Sequence, residues 1–194
     1  MRIVIASKNE HKITEVERIL GDGGLGVEIV RGLDWPDVDE YETTLVGNAL
    51  LKARSVVAAT GLPAIGDDTG LFVDALGGAP GVHSARYAGP DASDEDNVSK
   101  LLNELVGVEH RSARFVTAIA FAAPGGIELT VEGRLEGTIA MQRRGVNGFG
   151  YDPVFVVDGR TLAERTESEK AVMSHRAKAL HAFARAWTHA DLTI

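Results

Sequence analysis

The pattern that most constrains this chain is a change of apolar period near its start. Arg2–Ala6 is a short β-branched run, which predicts a buried strand. The apolar residues that follow recur at helical spacing up to Gly21; they are Ile13, Val16, Ile19 and Leu20. The same order returns at Val27–Val30, a predicted strand, and at about Thr44–Ala59, a predicted helix. Strands that alternate with helices are typical of α/β proteins.

The second half of the chain has a different pattern. Two β-rich runs, Arg114–Ala123 and Ile127–Gly137, are separated by Pro124-Gly125-Gly126, which predicts a long hairpin. A further strand is predicted at Tyr151–Val157, and Thr166–Glu169 has the form of a capping box that would open a helix. The two halves together predict a mixed α/β protein.

The middle of the chain is assigned from its turn-forming residues. The pattern predicts two short extended pieces, Pro63–Gly66 and Leu71–Asp74, on either side of Asp67-Asp68-Thr69-Gly70. Residues 77–90 are rich in glycine and proline and are predicted to be a loop. A helix is expected over Asp91–Leu105, with its cap near Ser93 or Asp94.

Composition limits the class of protein. The chain has 194 residues, 44% hydrophobic and 25% charged, as expected for one globular domain with a substantial core. Its apolar runs are too short to cross a membrane and residues 1–6 are too short for a signal peptide, so no membrane partner is expected. Because cysteine is absent, thiolate metal sites and cysteine nucleophiles are excluded, and a cytoplasmic protein is the expectation.

Acidic residues outnumber basic ones, which gives a net charge of −8 at pH 7. Such a surface repels a phosphate backbone, so nucleic acid is not expected as a partner. The acidic excess lies in the first half of the chain, where it forms either a solvated face or, for a few carboxylates, a site for a divalent cation.

A candidate anion site lies where the first strand meets the first helix. Free N–H groups and the positive end of the helix dipole favour an anion there. The segment adds hydroxyl, amide and ammonium groups suited to a polyphosphate; its members are Ser7, Lys8, Asn9, Glu10, His11 and Lys12. The alternative is a polar turn with solvated lysines.

A candidate metal site is the carboxylate pair Asp67 and Asp68, which lies between two apolar runs. Buried carboxylates are costly unless a cation or hydrogen bonds satisfy them. Mg²⁺ is often held by one or two carboxylates together with substrate phosphate oxygens, so the pair predicts a magnesium site. The alternative is an Asx turn at a tight bend.

Two more groups have side chains suited to a ligand. Asn48 and Lys52 lie four residues apart on one helical face, either in a site or as a surface pair. After a glycine-rich loop, rings beside glycines can stack on a flat base and a carboxylate can accept from it; this group is Phe149, Gly150, Tyr151 and Asp152. The alternative is that these aromatic rings pack the edge of the domain.

Lys170, His175 and Arg176 form the last candidate group. On one unbroken helix Lys170 and His175 would point about 140° apart, so they share a pocket only if the helix breaks near Ser174 or if they flank a ligand. The alternative is a solvated charged face.

Taken together, these segments resemble the non-canonical purine nucleoside triphosphate pyrophosphatases, the inosine triphosphate pyrophosphatase family. The matching motifs recur in the family's order and span nearly the whole chain. They are Ser7–Lys12, Asn48–Ala53, Ile65–Asp74, Gly77–Gly89, Gly148–Pro153, Glu169-Lys170 and Ser174–Arg176.

The resemblance implies an α/β fold with an elongated mixed central sheet flanked by helices. It implies a single domain over residues 1–194, with two lobes and a cleft between them. It also implies Mg²⁺ as cofactor, a homodimer, and hydrolysis of dITP, ITP and XTP to the monophosphate and pyrophosphate, which cleanses the nucleotide pool.

The family's site residues carry over by position. Ser7–Lys12 would cradle the triphosphate and Lys52 would neutralise it, on the same helical face as Asn48. Asp68 would be the metal-linked general base, with Asp67 beside it and Thr69 touching substrate. The base pocket would be formed by Phe149, Gly150, Tyr151, Asp152, Lys170, His175 and Arg176.

One acidic segment departs from the family pattern. The family usually reads Glu-Glu or Glu-Asp before a Gly and Thr, whereas this chain reads Asp39-Glu40-Tyr41-Glu42-Thr43-Thr44. Counting back from Asn48 favours Glu40 as the metal ligand, with Asp39 second.

Two other functions stay open at this point. One is a related-fold nucleotide pyrophosphatase with a pyrimidine or modified-base preference, like the septum-formation-protein-like enzymes. The other is a nucleotide-binding dimer without catalysis. A preference for pyrimidine or modified-base substrates would identify the first of these functions. Nucleotide binding without turnover would identify the second.

Overall fold

The computed structural model describes residues 1–22, 26–36 and 38–189, and for His11 and Asp22 it describes the backbone only. In this part of the chain there are eight strands: β1 (Arg2–Ile5), β2 (Glu28–Val30), β3 (Ala64–Val73), β4 (Pro80–Gly81), β5 (Ser112–Ala122), β6 (Glu128–Ile139), β7 (Phe155–Val157) and β8 (Arg160–Thr161). The α-helices are α1 (Glu10–Asp22), α2 (Leu45–Thr60), α3 (Asp94–Glu104), α4 (Glu167–Met173) and α5 (His175–His189).

All eight strands belong to one mixed sheet. Its order is β2-β1-β3-β5-β6-β7-β8, with β4 paired to β3. β1 pairs in parallel with both β2 and β3, whereas β3–β4, β6–β7 and β7–β8 are antiparallel. β5 and β6 are neighbours joined by a turn in which the Ala123 N–H donates to the Ile127 carbonyl at 2.9 Å. The predicted mixed α/β class and the predicted hairpin are therefore confirmed.

The chain divides into two compact units. Unit 1 comprises Met1–Asp68, Thr117–Gly133 and Arg176–Ile194, and unit 2 comprises Thr69–Val116 and Arg134–His175. Each unit has buried apolar clusters of its own.

In unit 1, α1 and α5 pack on the side of β1 and β3 that carries Ile3, Ile5 and Ile65. The small residues Ala53 and Ala64 belong to a separate cluster that α2 forms with Val4 and Val56. Successive strand residues point to opposite faces of a sheet, so this alternation places α2 on the other face from α1 and α5.

Unit 2 is built around α3, the start of β5 and the end of β6. Leu101, Leu105 and Phe155 are fully buried in its cluster, together with Leu71 and Leu162. The helix begins after Ser93, whose side chain accepts from the Asp96 N–H while Asp96 reaches back to the Ser93 N–H, which is a capping box.

Several helix and strand boundaries differ from the sequence prediction. β3 runs without a break through Asp67–Gly70, where two pieces and a turn were expected. α3 begins at Asp94 rather than at Asp91, and the cap expected near Ser93 or Asp94 is confirmed at Ser93. β7 begins at Phe155, and residues 151–154 form turns. The loop predicted at 77–90 contains β4.

A helix break at Ser174, one of the two conditions for Lys170 and His175 to share a pocket, is present. Ser174 ends α4 in an extended conformation, and α5 starts at His175. The capping box predicted at Thr166–Glu169 is also present, with the Thr166 side chain accepting from the Glu169 N–H at 3.2 Å.

Gly145 anchors the glycine-rich loop of unit 2 against the backbone of Ala163. The carbonyl of Ala163 accepts from Val146 at 3.2 Å and from Asn147 at 3.1 Å. A Cβ at position 145 would lie 2.3 Å from the Ala163 carbonyl carbon, and Gly145 has a left-handed φ of 82°. The position therefore needs glycine for both space and conformation.

We expect Gly145→Ala to lower the free energy of unfolding by about 2–5 kcal/mol, since it combines left-handed strain with a backbone clash. Gly159→Ala is the matched control, because Gly159 has a φ of 78° and open space around its Cβ position. It should cost only about 1–2 kcal/mol. Urea denaturation of both variants measures the difference, and equal losses would contradict the close approach.

Candidate functional site

The two aspartates of β3 lie on opposite faces of the sheet because they are consecutive in a strand. Asp67 faces the side of α1 and α5, and Asp68 faces the side of α2. Both residues are buried, each 6% exposed. Buried charges of this kind need partners of opposite charge, and the neighbouring helices supply them.

Asp67 is held by two cations. Lys12 Nζ lies 3.0 Å from its Oδ1, and Arg176 Nε donates to its Oδ2 at 3.0 Å. Arg176 is itself buried, and its Nη1 donates to Glu15 at 2.8 Å. Burial would raise the pKa of Asp67, but the charges of Lys12, Arg176 and Lys52 outweigh it and hold that pKa well below its ordinary value. Asp67 is therefore a permanent anion.

Asp68 is held from α2. Lys52 Nζ lies 3.0 Å from Asp68 Oδ1, and Asn48 Nδ2 donates to Oδ2 at 3.3 Å. Burial and the nearby Glu40 carboxylate raise the pKa of Asp68, against the opposing effect of Lys52. Asn48 is fully buried, and its Oδ1 accepts from the Glu42 N–H at 3.1 Å. The Asn48 side chain therefore links the acidic segment, through Glu42, to Asp68 on β3.

A glycine lets α2 come this close to β3. A Cβ at Gly66 would lie 2.2 Å from the Ala49 carbonyl oxygen and 3.1 Å from the Ala53 nitrogen. Ala49 and Ala53 pack on the strand, while Asn48 and Lys52, one position earlier in each turn, reach Asp68. Gly66, Ala49 and Ala53 therefore bring α2 close enough to β3 for Asn48 and Lys52 to contact Asp68.

Glu40 and Asp68 converge on one position. Lys52 Nζ lies 2.7 Å from Glu40 Oε1 as well as 3.0 Å from Asp68 Oδ1, so a single cation contacts both carboxylates. Asp39 is exposed. A pair of carboxylate oxygens that surrounds one cation is a donor set that fits Mg²⁺.

This carboxylate pair is not a complete metal site. Among residues 1–22, 26–36 and 38–189, no group of three or more His, Asp or Glu side chains is arranged to hold an ion. Water and phosphate oxygens would have to complete the coordination, as is usual for Mg²⁺ at nucleotide sites.

The predicted anion segment begins α1. Ser7 Oγ accepts from the Asn9 N–H at 3.1 Å, and Asn9 Oδ1 accepts from the Lys12 N–H at 3.2 Å. The carboxylate of Glu10 accepts from Arg31 at 3.0 Å, and Lys8 is exposed. The side chain of His11 lies outside the described residues. Within this segment, the structure brings Lys12 to Asp67.

The proposed base-binding residues other than Arg176 belong to unit 2. Tyr151 is buried and donates to the Ser84 carbonyl at 2.8 Å. Asp152 Oδ2 accepts from Lys170 at 3.3 Å and from the Phe149 N–H at 3.3 Å. Burial raises the pKa of Asp152 despite the opposing charge of Lys170.

Phe149 and His175 differ in exposure. The ring of Phe149 is 43% exposed, whereas His175 is buried and stacks on Phe115, with 4.6 Å between ring centroids. Gly150 donates its N–H to Asp94 at 2.7 Å, and Thr69 is half-buried in β3. Gly150, Tyr151, Asp152, Lys170 and His175 thus each make a specific contact within unit 2.

Sequence reasoning missed Glu15, which neutralises Arg176. Its spacing was a usable signal, because Glu15 is three residues after Lys12 on the same helical face. Gly66 was also missed. The alanines Ala49 and Ala53, four residues apart on α2, indicated a face that packs closely on another element.

Residues 3–186 match the model of the Ham1 family. The chain belongs to this family. A dITP/XTP pyrophosphatase from an Exiguobacterium strain is 50% identical over 185 residues, which is 93% of each chain. A protein of the same description from Streptomyces coelicolor is 48% identical over 189 residues, covering 93% of this chain and 94% of the relative.

Solved structures of Ham1 proteins have the same fold. A HAM1 protein from Coxiella burnetii superposes with a TM-score of 0.89 at 41% identity, covering 97% of this chain and 99% of that one. The Ham1 protein of Staphylococcus aureus gives a TM-score of 0.86 at 36% identity, with 98% and 100% coverage. None of the helices in the described part of this family member has the length and hydropathy that a membrane crossing requires.

We expect Asp67→Asn to lower the free energy of unfolding by about 2–4 kcal/mol, because Lys12 and Arg176 would lose the carboxylate they share. Asp74→Asn is the matched control: Asp74 is 58% exposed and pairs with Arg114. Its loss should cost less than about 1 kcal/mol. Chemical denaturation of both variants tests this, and an Asp67→Asn loss no larger than the control's would remove Asp67 as an anchor of the unit.

Proposed function

We propose that this Ham1 family member hydrolyses dITP, ITP and XTP to the nucleoside monophosphate and pyrophosphate, and thereby removes these nucleotides from the pool. The observation that carries the proposal is the arrangement at β3: Asp67 and Asp68 held by Lys12, Lys52 and Arg176 from three helices. The names of the Exiguobacterium and Streptomyces relatives, dITP/XTP pyrophosphatase, support the substrate class.

The cofactor in this proposal is Mg²⁺. Glu40 and Asp68 would hold it, since both contact the same ammonium group and hence face one position. Asp39, which is exposed, is the second choice. A bound Mg²⁺ supplies Lewis-acid polarisation of a phosphate oxygen and charge neutralisation.

The remaining chemistry belongs to the side chains. Water attacks the α-phosphorus in line with the departing pyrophosphate, and Asp68 orients that water and accepts its proton. Lys12 and Lys52 neutralise the charge that develops on the leaving pyrophosphate. Asn48 holds Asp68 in place from the other carboxylate oxygen. Ser7, Lys8, Asn9, Glu10 and His11 are assigned to the triphosphate cradle, and Thr69 to a substrate contact.

Base recognition is assigned to unit 2. Phe149 would stack on the purine, and Asp152, with Gly150 and Tyr151 beside it, would accept from ring N–H groups, with Lys170 holding the carboxylate. His175 would donate to the 6-oxo group that hypoxanthine and xanthine share, where adenine presents an amino group. In the structure Arg176 donates to Asp67 and Glu15, so we expect base selectivity to depend on His175.

A homodimer in the cytoplasm is part of the same proposal. Gel filtration with light scattering tests the dimer, and a panel of purine and pyrimidine triphosphates tests the base class. A preference for pyrimidine substrates would replace the purine assignment, and nucleotide binding without turnover would replace the enzyme by a binding protein.

Asp68→Asn should reduce pyrophosphate release from dITP by about 10²-fold or more, because it removes the proton acceptor and one metal ligand. Asp158→Asn is the matched control: it makes the same change at an exposed residue with a left-handed φ of 48°, which asparagine tolerates. Pyrophosphate and orthophosphate are measured separately, with and without Mg²⁺. Retained activity in Asp68→Asn would remove it from the mechanism, and orthophosphate as first product would overturn the pyrophosphatase assignment.

His175→Phe should reduce the preference for dITP over dATP by about tenfold or more, because the ring on Phe115 is kept while the donor to the 6-oxo group is lost. The measurement is kcat/KM for both substrates. A ratio that does not change would place base selection on other residues.

A further inference from the structure

Lys52 has no donor left for a phosphate in this structure. Its ammonium group has three N–H donors, and three oxygens surround it. These are Glu40 Oε1 at 2.7 Å, Asp68 Oδ1 at 3.0 Å and the Asp67 carbonyl oxygen at 3.0 Å. A phosphate can therefore bind Lys52 only if the ammonium leaves at least one of these acceptors.

Two of the three acceptors are the oxygens that suit a divalent cation. Glu40 and Asp68 contribute the carboxylates to which Mg²⁺ is assigned above, and Lys52 neutralises both. A divalent cation and the ammonium thus compete for the same atoms. The ammonium contributes one positive charge where Mg²⁺ would bring two, and like charges at this distance repel.

The exchange needs a change in only one side chain. Lys52 has a flexible four-carbon stem, so its head can move while its backbone stays in α2. Asp68 keeps its second oxygen on Asn48, which is fully buried and also binds the Glu42 N–H. The Asp68 carboxylate therefore stays in position when the ammonium departs.

We propose that Lys52 is an exchange residue that couples the binding of the divalent cation to the binding of the triphosphate. Without ligands it occupies the carboxylates of Glu40 and Asp68. When a divalent cation takes those carboxylates, Lys52 is released to the phosphates. Each ligand then raises the affinity for the other, because coupling between two sites is reciprocal. This inference rests on the proposed function.

The coupling also protects the site from incomplete ligands. A triphosphate without a divalent cation must draw Lys52 away from the carboxylates of Glu40 and Asp68, and Asp68 is a buried anion that depends on this cation. A divalent cation without a triphosphate must displace an ammonium group that has no new partner. Both single-ligand states are therefore disfavoured relative to the state with both ligands.

The test is calorimetric binding of Mn²⁺, as a probe for Mg²⁺, to the whole chain with and without a non-hydrolysable α,β-methylene analogue of dITP. In Lys52→Met the carboxylates lose their competitor, so Mn²⁺ alone should bind at least tenfold more tightly than to the wild type. The factor by which the analogue raises Mn²⁺ affinity should fall at least fivefold.

Lys12→Met is the matched control, since it removes the same charge from Asp67 rather than from Glu40 and Asp68. It should change the affinity for Mn²⁺ alone by less than about threefold, because its charge is not in contact with these carboxylates. Equal gains in the two lysine variants, or no gain in Lys52→Met, would overturn the exchange.

A second measurement uses the wild type, in case Lys52→Met does not fold. The side-chain ammonium signal of Lys52 in an NMR spectrum should shift when Mg²⁺ is added alone and shift again when the analogue follows. A signal that does not respond to saturating Mg²⁺ would overturn the proposal.

Pyrophosphate release from dITP by the wild type is measured in parallel. If it is present while Lys52→Met shows no gain in affinity, the exchange fails and the proposed function stands. If it is absent while Lys52→Met binds Mn²⁺ more tightly, the competition for the carboxylates is supported and the substrate assignment fails.

Discussion

The structure of unit 1 depends on two consecutive buried carboxylates in a strand. Because Asp67 and Asp68 are neighbours in β3, one points to each face of the sheet. Each then needs a cation on its own side, and α1, α2 and α5 bring Lys12, Lys52 and Arg176. The need to neutralise two buried carboxylates therefore explains why α1, α2 and α5 each place a cationic side chain beside Asp67 or Asp68.

The packing of α2 follows from the same requirement. A lysine and an asparagine reach Asp68 only if the helix lies close to the strand, and Gly66 with Ala49 and Ala53 provides that closeness. Unit 2 has a similar arrangement. A Cβ at Gly148 would lie 2.0 Å from Asp152 Oδ2, beside the Lys170 ammonium. In both units a residue without a side chain makes room for a buried ion pair.

Much of the fold could be predicted from local patterns, and the failures have a common cause. The β1–α1 order, the hairpin and the capping box at Thr166 all follow from periodicity and capping, which act over a few residues. Asp67–Gly70 reads locally as a turn, because Asp and Gly are turn residues. β3 continues through these residues because Lys12, Lys52 and Arg176, from distant segments, contact the two carboxylates, and because the strand also lies beside β5 in the sheet.

For the site, the functional side chains are already evident in the sequence: two adjacent aspartates, a lysine and an asparagine four residues apart, an acidic segment, and the order of motifs that matches the Ham1 family. Which carboxylate pairs with which cation depends on the packing of the elements. It paired Lys12 and Arg176 with Asp67, and it brought Glu40 and Asp68 to Lys52. Periodicity reports which face of an element a residue occupies, whereas an ion pair depends on which elements adjoin that face. That is set by the packing of segments far apart in the chain.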